Sequence, residues 1–268
     1  MNTKSSIVLA ALSVTIAGGC DGRSPGLTED TGACSARPTS FGSLGELTAF
    51  PEISTSITGA SLGLRSVNFV AVPPVGDFLP YVEVLAEVEN TGPSRLCSAT
   101  FDVQLGGYEE TGVLHGAQYI LPPPVEIAIS CVAPGDRGVI RVLFHEVTEE
   151  DLLSTTTLRI AHANDQGDDA GETPYDLTTL SEQRIVEVEG GYQLVQTVTA
   201  DRDVLNYFQD VYAVDARGLL IADLDVPSYG PTSGGASLTA GEPEALESDV
   251  VGCEFVDFML AGEHYFEP

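Results

Sequence analysis

Between Tyr81 and Asn90 the chain alternates: Val82, Val84, Ala86 and Val88 fall on one side, and Glu83, Leu85, Glu87 and Glu89 on the other. A period of two marks a β-strand, and this composition predicts one buried and one mostly wet face. The strand stops at Asn90-Thr91-Gly92-Pro93-Ser94, where Asn and Gly accept positive φ and Pro cannot donate to a ladder. The same reading predicts strands over 64–72, 97–104, 113–121, 126–131, 139–144 and 156–163. Between the last two, Thr148 followed by acids through Asp151 predicts one short helix with a capped, negatively charged first turn.

Short strands at this spacing, separated by turn clusters, predict an immunoglobulin-like (Ig-like) sandwich. The stretch HANDQGDDAGETP from His162 to Pro174 is acidic and Gly-containing, and strand signals resume beyond it at 184–189, 192–199, 208–215, 219–226 and around 245–260. The expected fold class is therefore all-β: two tandem Ig-like antiparallel β-sandwiches over 61–163 and 179–268, joined by an acidic linker at 164–178. An internal repeat supports the division. Val88 and Val198 lie 110 residues apart, and Pro134-Gly135-Asp136 precedes Ala240-Gly241-Glu242 by 106. Val88, Asn90, Gly92 and Pro134-Gly135-Asp136 in the first copy, with Tyr212, Asp215 and Gly218 in the second, resemble the bacterial FxLYD family of small Ig-like sandwiches. The resemblance implies an extracytoplasmic, often lipid-anchored protein without shared catalytic residues.

The N-terminus changes the picture. Residues 1–19 carry one charged side chain, Lys4, then an apolar run from Ile7 to Ala17 and two glycines before Cys20. The run is too short to cross about 30 Å of hydrocarbon and has the parts of a secretory signal. Ile16 to Cys20 resembles the lipobox of bacterial lipoproteins, with Ala17 where a Leu is usual. That implies cleavage before Cys20, a lipid on its sulfur, and localisation outside the cytoplasm at the cell membrane or outer membrane. Residues 20–60, rich in Gly, Ser, Thr and Pro, read as a tether.

Charge excludes one class of partner. From residue 20 onward there are 10 Arg and 40 Asp and Glu; residues 164–268 alone hold 22 acids and 3 Arg. Such a surface repels nucleic acid and anionic headgroups, so membrane contact is expected through the lipid alone, and the remaining partner is a protein or a glycan. With Cys20 acylated, Cys34, Cys97, Cys131 and Cys253 remain, an even number that in an exported chain implies disulfides. Cys97 opens one predicted strand and Cys131 closes another in the same sandwich, which favours that bridge; by elimination Cys34 would pair with Cys253.

Candidate chemistry is sparse. Gly59-Ala60-Ser61-Leu62-Gly63 spells G-x-S-x-G, but the residues after it read as a strand where a nucleophile elbow needs a helix. His145 and His162 would form a cross-strand pair, completed by Glu146 or Glu149, if their strands were neighbours. Asp165, Asp168, Asp169 and Glu172 in the acidic gap are the calcium candidates, since Ca²⁺ takes six to eight oxygens from a flexible loop. The leading expectation is a non-catalytic binding or structural protein of the cell envelope with no cofactor beyond possible calcium. Calcium-dependent adhesion, and an enzyme with a site between the sandwiches, are the alternatives.

Overall fold

The alternating segments fold as strands throughout the described part of the chain, which in the computed structural model comprises residues 54–72, 81–120, 128–145, 147, 149–165, 178–227, 235–252 and 254–266. The all-β class expected from the alternation is what the structure has. In the first half the strands are β1 (Ser54–Thr58), β2 (Leu62–Val72), β3 (Tyr81–Asn90), β4 (Leu96–Cys97), β5 (Thr100–Leu105) and β6 (Tyr108–His115). They continue with β7 (Ala117–Ile120), β8 (Ala128–Val132), β9 (Arg137–His145) and β10 (Thr157–Asn164). One helical turn, α1 (Glu149–Ser154), precedes β10.

Seven of these strands form one continuous sheet in the order β1-β10-β5-β6-β9-β3-β2, parallel between β1 and β10 and antiparallel elsewhere. This corrects the expectation of two separate layers. Strand β6 is the reason: Tyr108–Val113 pairs with β5, while Val113–His115 pairs with β9. A strand that changes partner in this way folds its sheet over on itself. At the crossing a Cβ on Gly112 would lie 2.8 Å from the Val142 side chain and 3.1 Å from those of Ile140 and Val103, so only glycine fits between the facing walls. The two edge strands, β1 and β2, are consecutive in the chain, and the residues between them span at most about 14 Å. The sheet is thereby nearly closed into a barrel around Phe69, Val84, Phe101, Val103, Ile140 and Phe144.

Residues 54–58 are a second correction, because they belong to β1 and not to the expected tether. Ile57 packs on the core while Ser56 and Thr58 face outward, an alternation too short and too polar to stand out from the Ser/Thr-rich stretch around it.

The second half contains β11 (Thr178–Val188), β12 (Gly191–Ala200), β13 (Val204–Val214), β14 (Leu220–Val226), β15 (Ala236–Leu238), β16 (Pro243–Glu247) and β17 (Asp257–Phe266). One sheet is β11-β12-β16; the other has β13 between β14 and β17, with β15 on the start of β13. Leu194, Val198 and Leu246 from the first sheet meet Tyr207, Val211 and Leu224 from the second in a separate core. The order of pairings repeats that of the first half. The pairs β2–β3, β3–β9, β5–β6 and β5–β10 correspond to β11–β12, β12–β16, β13–β14 and β13–β17. The turns before β9 and β16 match atom for atom. Gly135 and Gly241 have φ of 86° and 75°. The Gly135 N–H donates to the Asn90 carbonyl at 2.7 Å, and the Gly241 N–H to the Ala200 carbonyl at 2.8 Å. A left-handed turn position favours glycine, which is why both turns carry one.

The two halves pack face to face. The outer side of β2-β3-β9, which would be wet in an isolated sandwich, is covered by Tyr212, Leu220 and Ala261 from β13, β14 and β17, with Val214 and Met259 beside them. Glu83 and Glu87, expected on a wet face, are buried at 2% and 8% exposure. The nearly closed sheet with its core, the seam and the second core therefore follow one another in that order.

Candidate functional site

Two groups of polar side chains stand out: one is sealed in the seam, the other lines an open groove. In the seam, Arg141 on β9 donates from Nε to Glu83 Oε1 at 2.5 Å and lies 2.6 Å from Asp223 Oδ2 on β14. Burial alone would lower the Arg141 pKa, but Glu83 and then Asp223 more than offset it and hold the guanidinium firmly charged. Nearby, His115 Nδ1 lies 2.9 Å from Asp210 Oδ2, and the His115 ring stands edge-on to Tyr212. Asn68 Nδ2 donates to the Leu220 carbonyl at 2.8 Å. Burial, then Asp223 and Asp210, push the Tyr212 hydroxyl well above its ordinary range, so it stays neutral. Each of these contacts except Arg141–Glu83 joins the two halves, and their function is to lock them together.

The second core carries its own polar chain. Gln196 Nε2 on β12 donates to Gln209 Oε1 on β13, bridging the two sheets, and Gln209 Nε2 donates to the Tyr207 hydroxyl at 2.6 Å. Glu263 on β17 accepts from both Tyr207 and Thr178, so one carboxylate ties β11, β13 and β17. Burial first, and then Glu263, hold the Tyr207 hydroxyl far above its ordinary range. Every member of this chain has a partner inside it, which leaves no free group to act on a substrate.

The open groove lies on the outer face of β1, β10, β5 and β6 and has a volume of about 490 Å³. Register explains its composition. Gln104 on β5 is opposite Arg159 on β10 and Glu109 on β6, and Arg159 is opposite Ser56 on β1. One row further on, Asp102 faces Ala161 and Thr111. Because alternate residues share a face, the apolar partners Leu158, Ile160, Val103 and Leu105 go to the core and the polar ones collect outside. Gln104 Nε2 donates to Glu109 Oε1 at 3.3 Å. Arg159 is exposed and forms no ion pair among the described residues, whereas Arg65, Arg137, Arg141, Arg202 and Arg217 each lie within 4.0 Å of a carboxylate. Arg184 on β11 is likewise without an ion pair among the described residues, but Arg159 is the one that lines the groove.

The predicted site residues fall out unevenly. Cys97 and Cys131 form a disulfide between directly opposed positions of β4 and β8, in a small ribbon completed by β7. Cys20, Cys34 and Cys253 lie outside the described residues, as do the calcium candidates Asp168, Asp169 and Glu172. Asp165, the fourth, sits 2.9 Å from His162 Nε2. Among the described residues no group of three or more His, Cys, Asp or Glu is placed to hold a metal ion. The His145–His162 pair does not form, because β5 and β6 separate their strands. His145 is beside Tyr81 and His162 beside Phe101. Ser61 of the G-x-S-x-G sequence sits between two strands, where its carbonyl accepts from the Thr91 N–H and hydroxyl. Sequence alone misses the groove: its signal, polar alternate positions in four separate strands, becomes a site only once the strand order is known.

No protein-family model matches the chain, and no curated protein or solved structure matches it. The reading of function rests on the chain itself.

Proposed function

We propose that the protein is a bacterial lipoprotein of the cell envelope, held by a lipid on Cys20 and built from two all-β halves, with a non-catalytic binding or structural role. The observation that carries this reading is the N-terminal sequence: an apolar run too short to span a bilayer, ending in Ala17-Gly18-Gly19 directly before Cys20. Two features of the fold agree with it. The Cys97–Cys131 disulfide suits an oxidising compartment outside the cytoplasm. The recurrence of the same strand pairings in both halves, and of the Gly135 and Gly241 turns, suits two related β units packed face to face. A seam sealed by Arg141, Asp223, His115 and Asp210 makes the pair a rigid block, fit to present a surface at a distance from a membrane.

Phase separation in a cloud-point detergent tests the anchor. The full chain expressed in a bacterial host is expected to enter the detergent phase. Cys20→Ser is expected to move to the aqueous phase, or to persist as a precursor longer by the 19 residues before Cys20. A wild-type protein found wholly in the aqueous phase would remove the proposal.

A further inference from the structure

We infer that the groove on β1, β10, β5 and β6 is a binding site for an uncharged oligosaccharide. The inference rests on the binding role proposed above and gives it a ligand class.

The groove brings donors and acceptors together on one face, and Gln104–Glu109 is the hydrogen bond between two of their side chains among the described residues. Arg159 offers five N–H donors and forms no ion pair among the described residues. Asp102 and Glu109 face the same groove as acceptors, and Ser56, Thr58 and Thr111 add hydroxyls that both donate and accept. The groove face, with Arg159 against Asp102 and Glu109, is negative, and the whole chain carries −29. An anionic ligand is therefore repelled at long range and again by the Asp102 and Glu109 carboxylates at contact. A cationic peptide would be drawn to the acids but would meet the Arg159 guanidinium at the centre of the strand row. A dense array of hydroxyls fits both: each sugar O–H donates to a carboxylate while its oxygen accepts from Arg159 or a threonine. The groove has almost no apolar floor, Ala161 and Val103 being its aliphatic members, so affinity comes from hydrogen bonds in competition with water. Such bonds add little net free energy each, and the expected dissociation constant is about 1 mM.

Titration of the isotope-labelled full chain, followed by amide chemical shifts, decides the matter. The probes are neutral oligosaccharides (cello-oligomers and N-acetylglucosamine oligomers), oligolysine and a heparin fragment. Saturable shifts confined to 102–111 and 157–161 with a neutral oligosaccharide, weakened at least tenfold by Arg159→Ala and by Asp102→Ala, are the expected result. Both side chains are exposed, so the core signals of the variants should match the wild type. The inference is overturned if neither neutral series shifts those amides at about 10 mM, ten times the expected constant. It is equally overturned if oligolysine or heparin alone does so, or if both variants bind as well as wild type. Membrane release of the protein would sink the anchor and leave this result standing; loss of saccharide shifts would do the reverse.

Discussion

Arg141→Met is expected to destabilise the protein by about 3–5 kcal/mol, the cost of leaving buried carboxylates without their counter-charge. Methionine keeps most of the reach and the apolar stem, so the loss isolates the charge. Glu83 is 2% exposed and holds its partner at 2.5 Å, and Asp223 reaches the same guanidinium from the other half of the chain. With a urea slope of about 2 kcal/mol per molar, the unfolding midpoint should fall by about 1.5–2.5 M. The triple variant Glu83→Gln, Arg141→Met, Asp223→Asn should recover much of the loss, because no ion is then stranded. A fall of under half a molar for Arg141→Met, or no recovery in the triple variant, would mean that the seam is not held by this triad. The unfolding should also be a single transition, since the seam removes from water a face that a free-standing first sandwich would expose.

Removing the Cys97–Cys131 bond is the second large effect. The two cysteines are 34 residues apart, and closing a loop of that length restricts the unfolded chain by about 3–4 kcal/mol in the chain-entropy model. The paired change Cys97→Ala with Cys131→Ala should lower stability by that amount. Alanine is preferred to serine because both positions are fully buried and a hydroxyl there would need a partner. Thermal melts with and without reductant should differ by more in wild type than in the double variant, the excess matching the loss on mutation. Equal melting temperatures for oxidised and reduced wild type would contradict the assignment.

These two contacts also mark what could be read in advance. The disulfide was legible, because Cys97 and Cys131 stand at the ends of strands in one repeat, and strand ends that meet in space can be guessed from alternation and turns. The seam was not. Periodicity assigns Glu83, Leu85 and Glu87 to one side of β3 but says nothing about what covers that side, and the glutamates suggested water. Only the packing of β13, β14 and β17 on that face shows why it also carries Leu85, Val70 and Val139, all without exposure. Similarly, Gly135 and Gly241 revealed the repeat because their turns need a left-handed residue, whereas the partner change within β6 left no mark but Gly112. The groove depends on strands that are neighbours in space and distant in sequence, so its residues looked like ordinary wet positions.

The lipid on Cys20 is the claim on which the cellular reading depends, and the intact mass of the purified mature protein tests it most directly. The account predicts a chain that begins at Cys20, lacks the preceding 19 residues, and carries the added mass of a diacylglyceryl group on that cysteine. A mature N-terminus at any other residue, or an unmodified Cys20, would contradict it.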